Sequence, residues 1–246
     1  MTSSDTNSSG MMGVRATALF LFDLTGTMAE PWAEAGYDCY CVDQQHPVGA
    51  RREGNIIRVG ADIHRWMPPL GQPIAFVAAF PPCTHLAVSG ARWFKGKGLY
   101  ALADSIALFA RAAEICEATG APYLIENPVS TISSYWRKPD HTFHPHFFTR
   151  YERADNYTKK TCLWTGGGFV MPHRYEADDL GSPDNRIHFA SPGDDRANFR
   201  SATPRGFARA VFEANRPREH EAESEDLIMK RDIAEKAGRF FARSIS

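Results

Sequence analysis

Residues 16–24 read ATALFLFDL, a nearly continuous apolar run. This is what a strand buried on both faces of a parallel sheet requires. The segments that follow repeat the demand. After the turn TGT, MAEPWAEAGY reads as a short helix closing at Gly36, and DCYCVD as a second strand ending in Asp43. NIIRVGADI and QPIAFVAAF read as a third and a fourth strand. YALADSIALFARAAEICEATG carries apolar residues at helical spacing and ends on Gly120, before a fifth strand in APYLIENP. Alternating strand and helix predicts an α/β fold, a mostly parallel central sheet with helices on both faces.

Beyond residue 135 the pattern loosens, with one short strand expected at KTCLW. Residues 171–202 are rich in Pro, Gly, Asp and Asn and read as an extended loop. TPRGFARAVFEANR reads as a short helix with Pro204 near its start. Residues 217–246 read as a charged amphipathic helix carrying Ile228, Ile233, Phe240 and Phe241. Residues 1–15 are polar and Ser-rich, without an apolar signal core, and read as a disordered lead-in. No linker divides residues 16–216.

Composition narrows the function classes. The 246 residues are 43% hydrophobic and 23% charged, ordinary for a soluble globular protein, and no apolar run nears membrane-spanning length. Five cysteines, an odd number in apolar surroundings, point to reduced thiols and a cytoplasmic location. A net charge of -1 means that a nucleic-acid partner needs a local basic patch.

Parallel sheets bind ligands beyond the carboxyl ends of their strands, where Asp43, Asp62, Cys83 and Glu126 all fall. The turn FDLTGTM has one glycine, Gly26, and fits either a nucleoside cofactor turn or an ordinary strand-to-helix turn. Pro81 and Pro82 stiffen the backbone ahead of Cys83. That thiol is either a presented nucleophile or a buried structural cysteine. The polar, basic, Gly-hinged THLAVSGARWFKGKG after it has the composition of a mobile flap, which favours the nucleophile. Glu126 directly follows an apolar strand, so burial should raise its pKa into the range of a proton donor; capping of a neighbouring backbone is the other reading. CYC lacks the second pair for a zinc set. HTFHPHF offers His141, His144 and His146 as loop histidines, phosphate contacts or a metal set, and TGGGF is a flexible turn.

In this order the motifs resemble the cytosine-C5 DNA methyltransferases, especially the short versions of phages and prophages. FLFDLTGTM resembles their cofactor turn, YCVD their ribose acid and GADI their adenine-binding strand end. FPPCTHLAVSG is similar to the Pro-Pro-Cys nucleophile motif and IENP to the Glu-Asn motif. YTKKTCLW resembles the later basic strand, and TPRGFARAV the C-terminal helix that packs back near the cofactor. The resemblance covers roughly residues 16–215, and its most specific part is Pro-Pro-Cys with Glu-Asn at this spacing.

The resemblance implies a Rossmann-like S-adenosylmethionine-dependent fold that methylates carbon 5 of cytosine in DNA. Cys83 would attack carbon 6, Glu126 would protonate ring nitrogen 3, and Lys159 would assist. Phe22, Thr25, Gly26, Asp43, Asp62, Ile63 and Pro81 would hold S-adenosylmethionine. Pro82, Ser89, Arg92, Lys95, Lys97, Asn127 and Thr161 would contact the substrate. The chain departs from the family at Leu24, where a second turn glycine is usual, and at Phe20, where an acid is common. Tyr157, Lys159 and Thr161 fill the places of Gln-x-Arg-x-Arg. Residues 168–202 leave room only for a minimal target-recognition insert. The same chemistry on a free or single-stranded cytosine nucleotide is a second expectation, and a catalytically silent nucleic-acid-binding homologue a third.

Overall fold

The structure, a computed structural model, describes residues 15–69, 71–189 and 202–217. Its strands are β1 (Thr17–Leu21), β2 (Asp38–Val42), β3 (Gly49–Glu53), β4 (Ile56–Gly60), β5 (Ile74–Ala79), β6 (Tyr123–Pro128), β7 (His141–Phe143) and β8 (Thr161–Gly166). Its α-helices are α1 (Glu30–Glu34), α2 (Phe94–Thr119), α3 (Ile132–Tyr135), α4 (Arg186–Phe189) and α5 (Arg205–Asn215). The strands form one mixed sheet in the order β3-β4-β2-β1-β5-β6-β8-β7. From β4 through β6 all neighbours are parallel. β3 pairs antiparallel to β4, β8 to β6, and β7 to β8. The strand order turns back between β1 and β5, the place where an open α/β sheet parts to form a crevice. The architecture is α/β with a mostly parallel mixed sheet, compatible with a Rossmann-like fold.

All five residues of β1 are buried, as its apolar run requires. Leu19 and Leu21 join Val77, Ile125 and Trp164 on the face covered by Phe109, Ala112 and Cys116 of α2. Ala18 and Phe20 face the other way, with Cys39, Cys41, Phe76 and Leu124, under α1 and α5. There Trp32 stacks on Phe76 at 4.6 Å between ring centroids, and Phe143 on Phe207 at 3.9 Å. Such pairs add about 0.5–1.5 kcal/mol each beyond their buried area.

Two anchors dock α5. Arg205 and Arg209 form ion pairs with Glu30 and Glu34 of α1, each at 2.6 Å. Beneath them, the buried Asp155 carboxylate accepts the Gly206 N–H at 2.7 Å, satisfying a donor of the first helical turn. A Cβ on Gly206 would lie 2.6 Å from the Phe148 carbonyl oxygen, so glycine permits this approach.

The differences from the sequence expectation lie at element ends and edges. The first strand stops at Leu21 because Phe22 turns into the left-handed region, φ 58°. The third ends at Gly60, short of Asp62, and its antiparallel partner β3 is an unexpected, fully exposed edge strand. The long helix begins at Phe94 rather than residue 100, with a break at Gly98 (φ 81°), and ends on left-handed Gly120. TGGGF is a close-packed turn: a Cβ on Gly167 would sit 1.9 Å from the Ala121 carbonyl oxygen. In the expected loop, α4 is the only regular element among the described residues. The lead-in before residue 15, residues 190–201 and the terminal helix expected over 217–246, from 218 on, lie outside the described residues. No described helix is long and apolar enough to cross a membrane.

Candidate active site

β5 delivers Cys83 to the carboxyl edge of the sheet on a short, heavily tied loop. The Phe80 N–H donates to the Leu21 carbonyl at 2.9 Å, continuing the sheet one residue past β5. Pro81 is then buried, Pro82 exposed and Cys83 half-buried. Two amides, Leu86 and Ala87, donate to the Cys83 carbonyl at 2.9 Å each, closing a single turn. Val88 N–H donates to Val129 oxygen and Thr131 N–H to Leu86 oxygen, both at 3.0 Å. The loop after β5 is thereby joined to the loop after β6.

Asn127 completes that joint. Its side chain is buried, and Nδ2 donates to the Pro81 carbonyl at 2.9 Å. Asn127, expected as a substrate contact, supports the backbone two residues before Cys83. Its Oδ1 has no hydrogen-bond partner, and the same holds for His85 Nδ1, Ser130 Oγ and Thr131 Oγ1. These are four of the seven such buried atoms among the described residues, so uncommitted hydrogen-bonding capacity concentrates in the Cys83 loop and at and just past the end of β6.

Glu126 stands at the end of β6, its side chain 15% exposed. Burial raises its pKa above the usual carboxylate range, and the Lys159 ammonium, 4.0 Å away, pulls it part of the way back. Antiparallel pairing of Glu126 with Leu163 and Pro128 with Thr161 carries Lys159 to this position, just ahead of β8. Lys159 Nζ also donates to the Ala202 carbonyl at 3.2 Å. Thr161 is buried, and its hydroxyl donates to the Lys159 carbonyl at 3.2 Å, so it holds the lysine's backbone rather than facing outward. Burial pushes the phenol of the buried Tyr157 upward, with the Glu126 charge the least of the contributions.

The segment after Cys83 is exposed and hinged. Ser89, Arg92 and Lys95 face solvent, and the Arg92 guanidinium lies over the Trp93 ring, 5.1 Å from its centroid. Lys97 turns inward and donates to the Thr84 carbonyl at 2.7 Å, a tie across the base of the segment. At Gly98 the backbone leaves helical geometry, separating residues 94–97 from the body of α2.

The first turn is built around a residue that sequence reasoning passed over. Asp23 is buried; its Oδ1 accepts the Gly26 N–H at 2.7 Å and the Thr25 hydroxyl at 3.1 Å. Burial raises its pKa against these bonds, and Oδ2 has no hydrogen-bond partner. The signal was an Asp two residues before Thr and three before Gly, the spacing of a side-chain-closed turn. Arg58 of β4 donates to the Leu24 carbonyl at 3.2 Å and lies against Gly26, while the Leu24 side chain is 37% exposed. Asp43, 8% exposed at the end of β2, accepts the Gln45 N–H at 2.8 Å. Ile63 is buried, whereas Asp62 is exposed and accepts the His64 N–H at 3.0 Å. At this edge an acid at the second strand end, the apolar Phe22 and Ile63, and a glycine turn closed by Asp23 stand on neighbouring strands.

Two constellations therefore form at this edge, one joining the Cys83 loop to Asn127 and one joining Glu126 to Lys159 and Thr161. The residues expected at the cofactor lie at the neighbouring ends of β1, β2, β4 and β5, and Arg92 and Lys95 stay exposed on the segment between Cys83 and Gly98. No family model matches the chain, and no curated protein matches it significantly.

Proposed function

We propose that this protein transfers a methyl group from S-adenosylmethionine to carbon 5 of cytosine in DNA, through a covalent cysteine adduct. One observation carries the reading: Cys83, in the loop just past β5, and Glu126, near the carboxyl end of the adjacent parallel strand β6, flank the Asn127–Pro81 hydrogen bond that ties β6 to the Cys83 loop. The turning point of the strand order between β1 and β5, beside that edge, supports it further.

Carbon 5 of cytosine is a weak nucleophile. Addition of the Cys83 thiolate to carbon 6 forms an S–C bond and shifts the ring electrons toward carbon 5 and ring nitrogen 3. Glu126, held protonated more readily by burial, donates its proton to ring nitrogen 3 as charge develops there. Lys159, 4.0 Å from the carboxyl, stabilises the carboxylate that remains and can meet the cytosine carbonyl. S-Adenosylmethionine, held by Phe22, Thr25, Gly26, Asp43, Asp62, Ile63 and Pro81, would supply the electrophilic methyl. Loss of the carbon-5 proton to a base then restores the double bond and expels Cys83 as thiolate, and ring nitrogen 3 returns its proton to Glu126. In a duplex the cytosine must leave the stack, at a cost of a few kcal/mol. The exposed Arg92 and Lys95 would meet phosphates as it does so.

Incubation with labelled S-adenosylmethionine and duplex DNA, single-stranded DNA or dCMP tests the reading and separates the substrates. Absence of label on every cytosine substrate refutes methyl transfer. DNA containing 5-fluorocytosine should be trapped covalently, and Cys83→Ser should abolish the adduct. The small insert and net charge of -1 favour, as a second reading, the same chemistry on a single-stranded or free cytosine nucleotide.

A further inference from the structure

β7 closes the far margin of the sheet, separated from β5 by β6 and β8. Against it lies a cavity of about 440 Å³, within the size range of small-molecule sites. Phe147, Met171 and the fully buried Phe148 line its apolar side, and His141 with the exposed His173 and Arg174 its polar side. Backbone bonds build the wall: Tyr175 N–H donates to the Phe147 carbonyl at 2.7 Å, and Arg150 N–H to the Tyr175 carbonyl at 3.0 Å. The Arg174 guanidinium lies over the Phe147 ring, 3.6 Å from its centroid.

The acids of this neighbourhood are already matched. Asp140, which also lines the cavity, takes Arg137 at 2.5 Å and the Thr165 N–H at 2.7 Å. Glu176 lies 3.6 Å from His146, and Asp178 pairs with Arg150. Arg174 has no carboxylate partner among the described residues. Burial first, and then the nearby His146, Lys160 and Arg174, hold His144 below the ordinary imidazole range. No group of three or more metal-ligating side chains occurs among the described residues, so the histidines of HTFHPHF do not read as a metal set.

We propose that this cavity binds a phosphate monoester with a flat apolar body. The phosphate would draw the Arg174 guanidinium off the Phe147 ring, His173 and His141 would donate beside it, and the body would take the uncovered ring face. Arginine supplies paired N–H donors to phosphate oxygens, and a phenylalanine-lined base accepts a ring. The site lies away from Cys83 and does not depend on methyl transfer.

Calorimetric titration with phenyl phosphate tests it, with inorganic phosphate and phenol as the two halves of the probe. Phenyl phosphate should bind at least tenfold more tightly than either half. Arg174→Ala should weaken it at least tenfold, and Arg174→Gln likewise, while Cys83→Ser should leave it unchanged. Arg174 is exposed, and circular dichroism of both variants confirms that the fold persists. Competition by UMP and by a 5′-phosphorylated oligonucleotide separates a free nucleotide from a nucleic-acid end. No heat at millimolar phenyl phosphate, affinity equal to that of inorganic phosphate, or undiminished binding in both Arg174 variants overturns the proposal.

Discussion

Asp155 offers a prediction whose size follows from its surroundings. The residue is 7% exposed, and burial lifts its carboxyl from 3.8 to about 6, even though the Gly206 N–H donates to it at 2.7 Å. A carboxyl raised in the folded state contributes stability that is full below pH 3.8 and lost as pH climbs through about 6. At 1.36 kcal/mol per pH unit, the gap amounts to about 3 kcal/mol of stability forfeited at neutral pH. Asp155→Asn keeps an oxygen for the Gly206 N–H but cannot ionise. The variant should therefore exceed the wild type by about 3 kcal/mol at pH 8, with a midpoint rise of about 6–12 °C, and the gap should close near pH 4. Asp155→Ala removes the acceptor as well and should fall about 1–3 kcal/mol below Asp155→Asn at every pH. Urea unfolding followed by circular dichroism from pH 4 to 8 measures all three. An Asn variant no more stable than wild type at pH 8, or a gap independent of pH, would refute the assignment of the cost to a buried charge.

Asn127→Ala strands the Pro81 carbonyl and should cost about 1–3 kcal/mol. It should also quicken alkylation of Cys83 by iodoacetamide; an unchanged rate would mean that Asn127 does not hold that loop. Because Lys159 lowers the Glu126 pKa, Lys159→Met should move it further upward, as followed by carbon-13 NMR of the carboxyl. A downward move contradicts the electrostatics described. On the proposed methyl transfer, Glu126→Gln should abolish labelling of cytosine while DNA binding persists, and undiminished turnover would remove Glu126 from the mechanism. Gly167→Ala, with φ 61° and a Cβ 1.9 Å from the Ala121 oxygen, should cost about 2–4 kcal/mol in thermal unfolding. Gly168→Ala, which has open space around it, should cost about 1 kcal/mol, and equal losses would contradict the packing argument.

The parallel part of the sheet is legible because burial on two faces leaves a strand no polar positions, and β1 is the plainest case. Gly120 announces the end of α2 because only a left-handed residue closes the helix there. β3 escapes such reasoning: GARRE is exposed at every position, so it carries no alternation, and only its pairing with β4 makes it a strand. In the candidate site, Cys83 and Glu126 can be found locally, each beside an apolar strand. The supporting roles of Asn127 and Thr161 cannot, because polar side chains of one composition serve equally well outward or inward. Asp155 is still harder to find, since its partner Gly206 lies 51 residues on and local sequence holds no trace of the match. Asp23 stands between these cases, legible as a turn former but not as a buried carboxylate.

The ion pair of Glu30 with Arg205 spans 175 positions, and beside it Phe212 meets Trp32 edge-on at 5.1 Å. During synthesis on the ribosome, Trp32, Phe76 and Phe143 emerge well before the helix that covers them. One side of the sheet must therefore wait, uncovered, for almost the last described residues to be translated. Over that interval the nascent chain displays the apolar surface that invites aggregation or a chaperone. A premature stop before residue 205 would leave that condition permanent, with the residues proposed for catalysis already made.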